Sequence, residues 1–117
     1  MRIRLLLVAA ALVAACGDSG PTDTTPGTNK TVDIFTIGDI FSPTFVTIAV
    51  GDTARWTFSG GSDGLGHNVR FNPRITGSPA DIPVFKTGSQ SRVFNTKGTF
   101  KYDCDVHPGM NGTVVVE

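Results

Sequence analysis

The run Cys104-Asp105-Val106-His107-Pro108-Gly109-Met110 places a thiol, an imidazole and a thioether within seven residues. A second imidazole opens the run His67-Asn68-Val69, and the sequence holds only two histidines. A thiolate with two imidazoles makes a trigonal site for a soft transition metal, and a thioether adds a weak axial contact. That combination suits copper cycling between Cu(I) and Cu(II). His67, Cys104, His107 and Met110 are therefore the candidate metal ligands, and one-electron chemistry is what they would support.

Each residue alone has a plainer reading. A single histidine is most often surface, a single cysteine a buried thiol, and a single methionine a core filler. The four taken together make coincidence a poor account. Zinc is the nearest rival metal, with Asp103 or Asp105 recruited beside Cys and His, but zinc favours closed sets without a thioether. A thiol nucleophile with His107 as its base is a weaker alternative. The glycine-rich stretch Ser59-Gly60-Gly61-Ser62-Asp63-Gly64 lacks the lysine and helix that a phosphate loop requires.

The elements that must position these residues occupy only part of the sequence. Met1-Arg2-Ile3-Arg4 followed by the apolar run Leu5 to Ala15 reads as a secretory signal over residues 1–15. The run is too short to cross a bilayer as a helix. Small residues stand immediately before Cys16 in Val13-Ala14-Ala15-Cys16 and resemble a bacterial lipobox. That resemblance implies lipidation of Cys16, a membrane anchor and a location outside the cytoplasm. The other reading of the two cysteines, a Cys16–Cys104 disulfide, would take the thiol from its loop partners. Gly17 to Asn29 contains only Gly, Pro, Ser, Thr, Asp and Asn. Such a stretch builds no core, so residues 16–30 are expected to be a tether with a reach of roughly 20 Å.

Residues 31–117 remain as a single domain, enough for one modest core. Without the signal, eight basic residues face ten acidic ones, a net charge of −2. There is no basic stripe, so nucleic acid is excluded as a partner.

The domain reads as all-β. Short runs of alternating apolar residues are separated by Gly, Pro, Asn and Asp. Strands are predicted at Thr31–Ile37, around Val46–Val50, at Ala54–Phe58, His67–Phe71, Ile82–Lys86, Ser91–Asn95, Thr99–Asp103 and Gly112–Glu117. Strand parity puts His67 with Val69 and Phe71 on one face, opposite Asn68 and Arg70. It likewise puts Cys104 with Phe100 and Tyr102. Both donors are thus expected to face the core at strand ends, in a β-sandwich or barrel.

From Phe41-Ser42-Pro43 onward the chain resembles the cupredoxins of the plastocyanin, pseudoazurin and amicyanin group. The resemblance runs through Val46-Thr47-Ile48-Ala49-Val50-Gly51-Asp52-Thr53-Ala54-Arg55-Trp56, His67-Asn68-Val69 and Gly98-Thr99-Phe100-Lys101-Tyr102-Asp103-Cys104. It ends in Cys104-x-x-His107-x-x-Met110-x-Gly112-x-Val114, the short, amicyanin-like form of the ligand loop. It implies a Greek-key β-sandwich and a blue, type 1 copper site. Cys104, His67 and His107 would be equatorial ligands and Met110 the axial one, with Asn68 bracing the cysteine loop. It further implies that the ring edge of His107 reaches the surface within an apolar rim of Pro108, Gly109 and Met110. The expected role is a monomeric electron carrier between larger redox proteins, not an enzyme. A copper-buffering or delivery protein using the same ligands is the alternative.

Overall fold

A computed structural model describes residues 29–117. The expected signal, the lipidation site Cys16 and nearly all of the tether lie outside the described residues. Among the described residues nine strands follow one another: β1 (Thr31–Ile37), β2 (Ile40–Ser42), β3 (Phe45–Ile48), β4 (Thr53–Phe58), β5 (His67–Phe71), β6 (Ile82–Phe85), β7 (Gly88–Val93), β8 (Gly98–Asp103) and β9 (Asn111–Val116). Among the described residues no helix is long and apolar enough to cross a membrane.

The strands form two sheets, ordered β2-β1-β4-β7 and β3-β9-β8-β5-β6, which make a Greek-key sandwich. Two of the pairings are parallel. β1 runs beside β4 with Thr31 opposite Thr53, and β3 runs beside β9 with Phe45 opposite Thr113. Antiparallel strands could be joined by tight turns, whereas these parallel partners are far apart along the chain. The alternation of apolar residues gives no sign of either pairing.

Alternation does give the core. Ala54, Trp56 and Phe58 of β4 are buried while Arg55 is exposed. Phe100 and Tyr102 of β8 are buried while Thr99 and Lys101 are exposed. At the centre, Tyr102 packs edge-on against Trp56 and Phe41, with ring centroids 5.4 and 4.9 Å away. Such pairs add about 0.5–1.5 kcal/mol beyond the area they bury. Gly112 lies opposite Tyr102 across β8 and β9. A Cβ there would clash with the phenol ring and its oxygen, so glycine at this position lets the aromatic cluster close.

The turn that leads into β4 is tied by Asp52. Its carboxylate accepts the backbone N–H groups of Lys30 at 2.9 Å and Ala49 at 3.1 Å. The side chain is buried, and an aspartate there holds the ends of two strands together where an apolar residue would not.

Three local expectations differ from the structure. β2 is absent from the sequence reading, because three residues carry too little alternation to register. β7 starts at Gly88 and ends at Val93, not at Ser91 to Asn95. Its residues are mainly polar and it forms a sheet edge, so periodicity says little about it. Asn68, expected on the face away from the core, is nonetheless 9 % exposed, because the ligand loop covers it.

Burial pushes the Tyr102 phenol up to about 12 from an ordinary value of 10.0, against a smaller opposing effect of the Trp56 indole. The folded protein then keeps the phenol proton where the unfolded chain releases it. Stability is therefore expected to fall as pH rises from 10.0 towards about 12. Tyr102 is the one tyrosine in the sequence, so tyrosinate absorbance reads it directly. A normal titration near 10.0 in protein still folded by circular dichroism would contradict its burial.

Candidate metal centre

Three strand ends bring the donors together. His67 is the first residue of β5, Cys104 follows β8, and Met110 precedes β9. His67, Cys104 and His107 each offer a ligand atom, and these atoms all lie within 4.8 Å of one another. Cys104 is a free thiol, and its Sγ stands 3.7 Å from His107 Nδ1. The two imidazole centroids are 4.6 Å apart. All three residues are buried, as is Met110.

The loop between β8 and β9 is short and pinned at both ends. Asp103 and Asn111 form the last cross-strand pair. Inside that pair, Cys104 N–H donates to the Met110 carbonyl at 2.9 Å, and Met110 N–H donates to the His107 carbonyl at 3.1 Å. These bonds force the chain between Cys104 and Met110 into a tight arch, so the spacing of the motif becomes convergence in space.

A second set of contacts ties the arch to β5. Asn68 Oδ1 accepts the Asp105 N–H at 2.8 Å, and Asn68 Nδ2 donates to Asp105 Oδ2 at 2.9 Å. Arg70 reaches the same segment, with its guanidinium 3.2 Å from Asp103 and 2.9 Å from Asp105. The zinc alternative proposed Asp103 or Asp105 as a ligand. Their carboxylates are turned instead to Arg70, Asn68 and Asn72. The bracing role of Arg70 was not read from the sequence, although strand parity already places it on the face of Asn68.

His67 is 0 % exposed, and neither Nδ1 nor Nε2 has a hydrogen-bond partner. Burial pushes its imidazole down, with the neighbouring His107 adding to the effect, while Asp39 and Asp63 oppose it. A neutral ring with a free lone pair is what a metal needs. The Cys104 sulfur is the main cause that pushes His107 up, followed on the raising side by Asp63 and Asp39, with burial working against them. Buried polar atoms without partners are rare in native proteins. Two imidazoles and a thiol facing one another, one imidazole with no partner at all, fit a bound metal ion.

The expected apolar rim differs from what surrounds His107. The ring is 8 % exposed and Met110 only 2 %. Pro108 and Gly109 are exposed, but Nε2 of His107 faces the carboxylates of Asp63, at 3.2 Å, and Asp39, at 3.5 Å. Both acids stand far from the ligand motif in the chain, and no spacing rule points to them.

The family model of copper binding proteins of the plastocyanin/azurin family matches residues 34–117. The chain belongs to this family. It is 36 % identical over 74 residues to amicyanin of Paracoccus versutus, covering 62 % of this chain and 54 % of that protein. It is 32 % identical over 88 residues to plastocyanin of Scenedesmus fuscus, covering 67 % of this chain and 87 % of that protein. The solved structure of an oxidised methionine-to-leucine mutant of amicyanin superposes with a TM-score of 0.63 at 28 % identity, covering 74 % of this chain and 81 % of that one. The chain spans about half the length of the amicyanins it matches. Copper is the metal of the family, and the buried set of thiol and imidazoles suits it.

Asn68→Ala removes two hydrogen bonds and leaves the Asp105 N–H without its acceptor. The variant is expected to lose about 1–3 kcal/mol of stability, measured by urea unfolding of the metal-free protein. An unchanged midpoint would mean that Asn68 does not brace the loop.

Proposed function

We propose that the protein carries single electrons between larger redox proteins through one type 1 copper site. His67, Cys104 and His107 are its equatorial ligands and Met110 its weak axial ligand. The observation that carries this reading is the buried meeting of two imidazoles and a thiol within 4.8 Å, with both nitrogens of His67 unpartnered. When bound, copper supplies reversible one-electron chemistry.

The protein's own residues do the rest. Cys104 presents a sulfur at the end of β8, held by its backbone bond to Met110. His67 enters from β5, whose Val69 and Phe71 pack into the core. Donors held on a paired strand and in a loop pinned at both ends move little, and small movement keeps the reorganisation accompanying electron gain and loss small. The buried core that Cys104 and Met110 share with the aromatic cluster excludes water and lowers the local dielectric, which tunes the potential. Burial of all four donors supports a carrier over a protein that hands its copper to others. A set with no ligand position left over for a substrate supports a carrier over an enzyme. Redox partners of this kind meet through small, brief interfaces.

The same proposal covers the chain's organisation. Residues 1–15 are a signal, Cys16 is lipidated, residues 16–30 form a tether and residues 31–117 form the cupredoxin domain. The protein is then a monomer held outside the cytoplasm on a bacterial membrane. Cys16→Ser is expected to move it from the membrane fraction to the soluble one, and continued sedimentation with membranes would refute the anchor.

The optical and electron paramagnetic resonance spectra of the Cu(II)-loaded protein test the site. An intense visible thiolate-to-copper band and a narrow hyperfine splitting are expected. Cys104→Ala is expected to abolish the band, and a variant that stays blue would remove Cys104 from the ligand set. Met110→Leu is expected to keep copper and raise the reduction potential, because a weak donor to Cu(II) is lost. An unchanged potential would show that Met110 is not axial.

A further inference from the structure

The side of His107 turned away from Cys104 is closed by two separate loops. Asp39 lies in the turn between β1 and β2, and Asp63 in the loop between β4 and β5. His107 Nε2 is 3.3 and 3.2 Å from the two carboxylate oxygens of Asp63 and 3.5 Å from Asp39 Oδ1. Ser62 holds the two loops together. Its N–H donates to Asp39 Oδ1 at 3.2 Å and its hydroxyl donates to Asp39 Oδ2 at 2.6 Å. Asp63 Oδ1 in turn accepts the Leu65 N–H at 2.9 Å. Gly61 completes the closure. A Cβ at Gly61 would lie 2.8 Å from His107 Cε1 and 2.9 Å from Nε2, so the loop backbone comes within contact of the imidazole only because no side chain intervenes.

We propose that Asp39 and Asp63 form a carboxylate clamp that fixes the ring and tautomer of His107 and favours the oxidised metal. This rests on the reading of His107 as a ligand. A neutral imidazole has one N–H donor and one acceptor nitrogen, and an ionised carboxylate can only accept. A nitrogen facing carboxylate oxygens at hydrogen-bond distance therefore carries the proton. Nε2 is that nitrogen, so the lone pair is on Nδ1, the atom that stands 3.7 Å from the Cys104 sulfur. The metal-facing atom is thus chosen from behind, by groups that never touch the metal. Carboxylates on the far nitrogen of a ligating histidine also raise its basicity. Two negative charges behind one ligand stabilise the more positive oxidation state, which lowers the reduction potential. Both acids are partly open to water, with side chains 40 % and 42 % exposed, and salt screens such exposed charges. Ring fixation therefore rests on contact, whereas the effect on potential depends on ionic strength.

Asp39 and Asp63 are positioning residues, and the test separates positioning from mere structure. Asp39→Asn, Asp63→Asn and the double variant keep the shape of each side chain and an oxygen to accept the backbone N–H bonds. The full-length protein is examined metal-free and copper-loaded. In the metal-free protein, nitrogen-resolved NMR of His107 at a pH where the ring is neutral is expected to show the proton on Nε2. The double variant is expected to show a mixture of tautomers. In the loaded proteins, Cu(II) affinity is expected to fall about 10–100-fold. The potential is expected to rise, by less at high salt, with the blue band retained. Asp63→Glu is expected to restore part of both effects. The clamp is overturned if the double variant keeps the single tautomer, the affinity and the potential of the unaltered protein. If the unaltered protein never turns blue, the ligand reading fails, and the tautomer of the metal-free ring still decides whether the clamp exists.

Discussion

Removing an imidazole from water without a hydrogen-bond partner costs roughly 1–3 kcal/mol. His67 meets that condition at both nitrogens. Everything around it is arranged so that this cost is incurred at one point, next to a thiol and a second imidazole. Among the described residues no group hydrogen-bonds the ring, and Val69 and Phe71 hold the same strand into the core. A buried lone pair directed at other lone pairs is unfavourable until a cation lies between them. The stiffness of the sandwich and the unpartnered nitrogens of the His67 ring are therefore two aspects of one constraint.

The ligand arch is the counterpart of that rigidity. Two backbone bonds close it, Asn68 and Arg70 hold it from the neighbouring strand, and its Cys104 and Met110 belong to the same buried core as the aromatic cluster. On the outside, Asp39 and Asp63 reach the one nitrogen of His107 that does not face the cysteine. The site is thus enclosed by backbone bonds, by uncharged packing and by negative charge on three different sides. The acidic cover comes from the β1–β2 turn and the β4–β5 loop, both far from the ligand motif along the chain.

Much of this was legible in the residues. His67, Cys104 and His107 are chemically unusual enough as a set that their meeting within 4.8 Å could be read from types and spacing. Most strands were legible because a core face writes itself as alternation, as in Ala54, Trp56 and Phe58. β2 was too short to do so, and β7 too polar. The burial of Asn68 could not be read, because parity describes a strand and not the loop that folds over it. The acids at His107 were invisible for a different reason. Asp39, Asp63 and His107 come from three segments, and only the closed sandwich brings them within hydrogen-bond distance.

The parallel pairing of β3 with β9, Phe45 beside Thr113, has a kinetic consequence. Contacts between residues far apart in the chain form slowly, because the loop-closure entropy must be overcome before any contact compensates it. β9 is also the strand that fixes the far end of the ligand arch. The donors therefore cannot assume their final spacing through local folding alone. The arch can close within the β8–β9 hairpin, but His67 reaches it only once β5 has paired with β8 across a long stretch of chain.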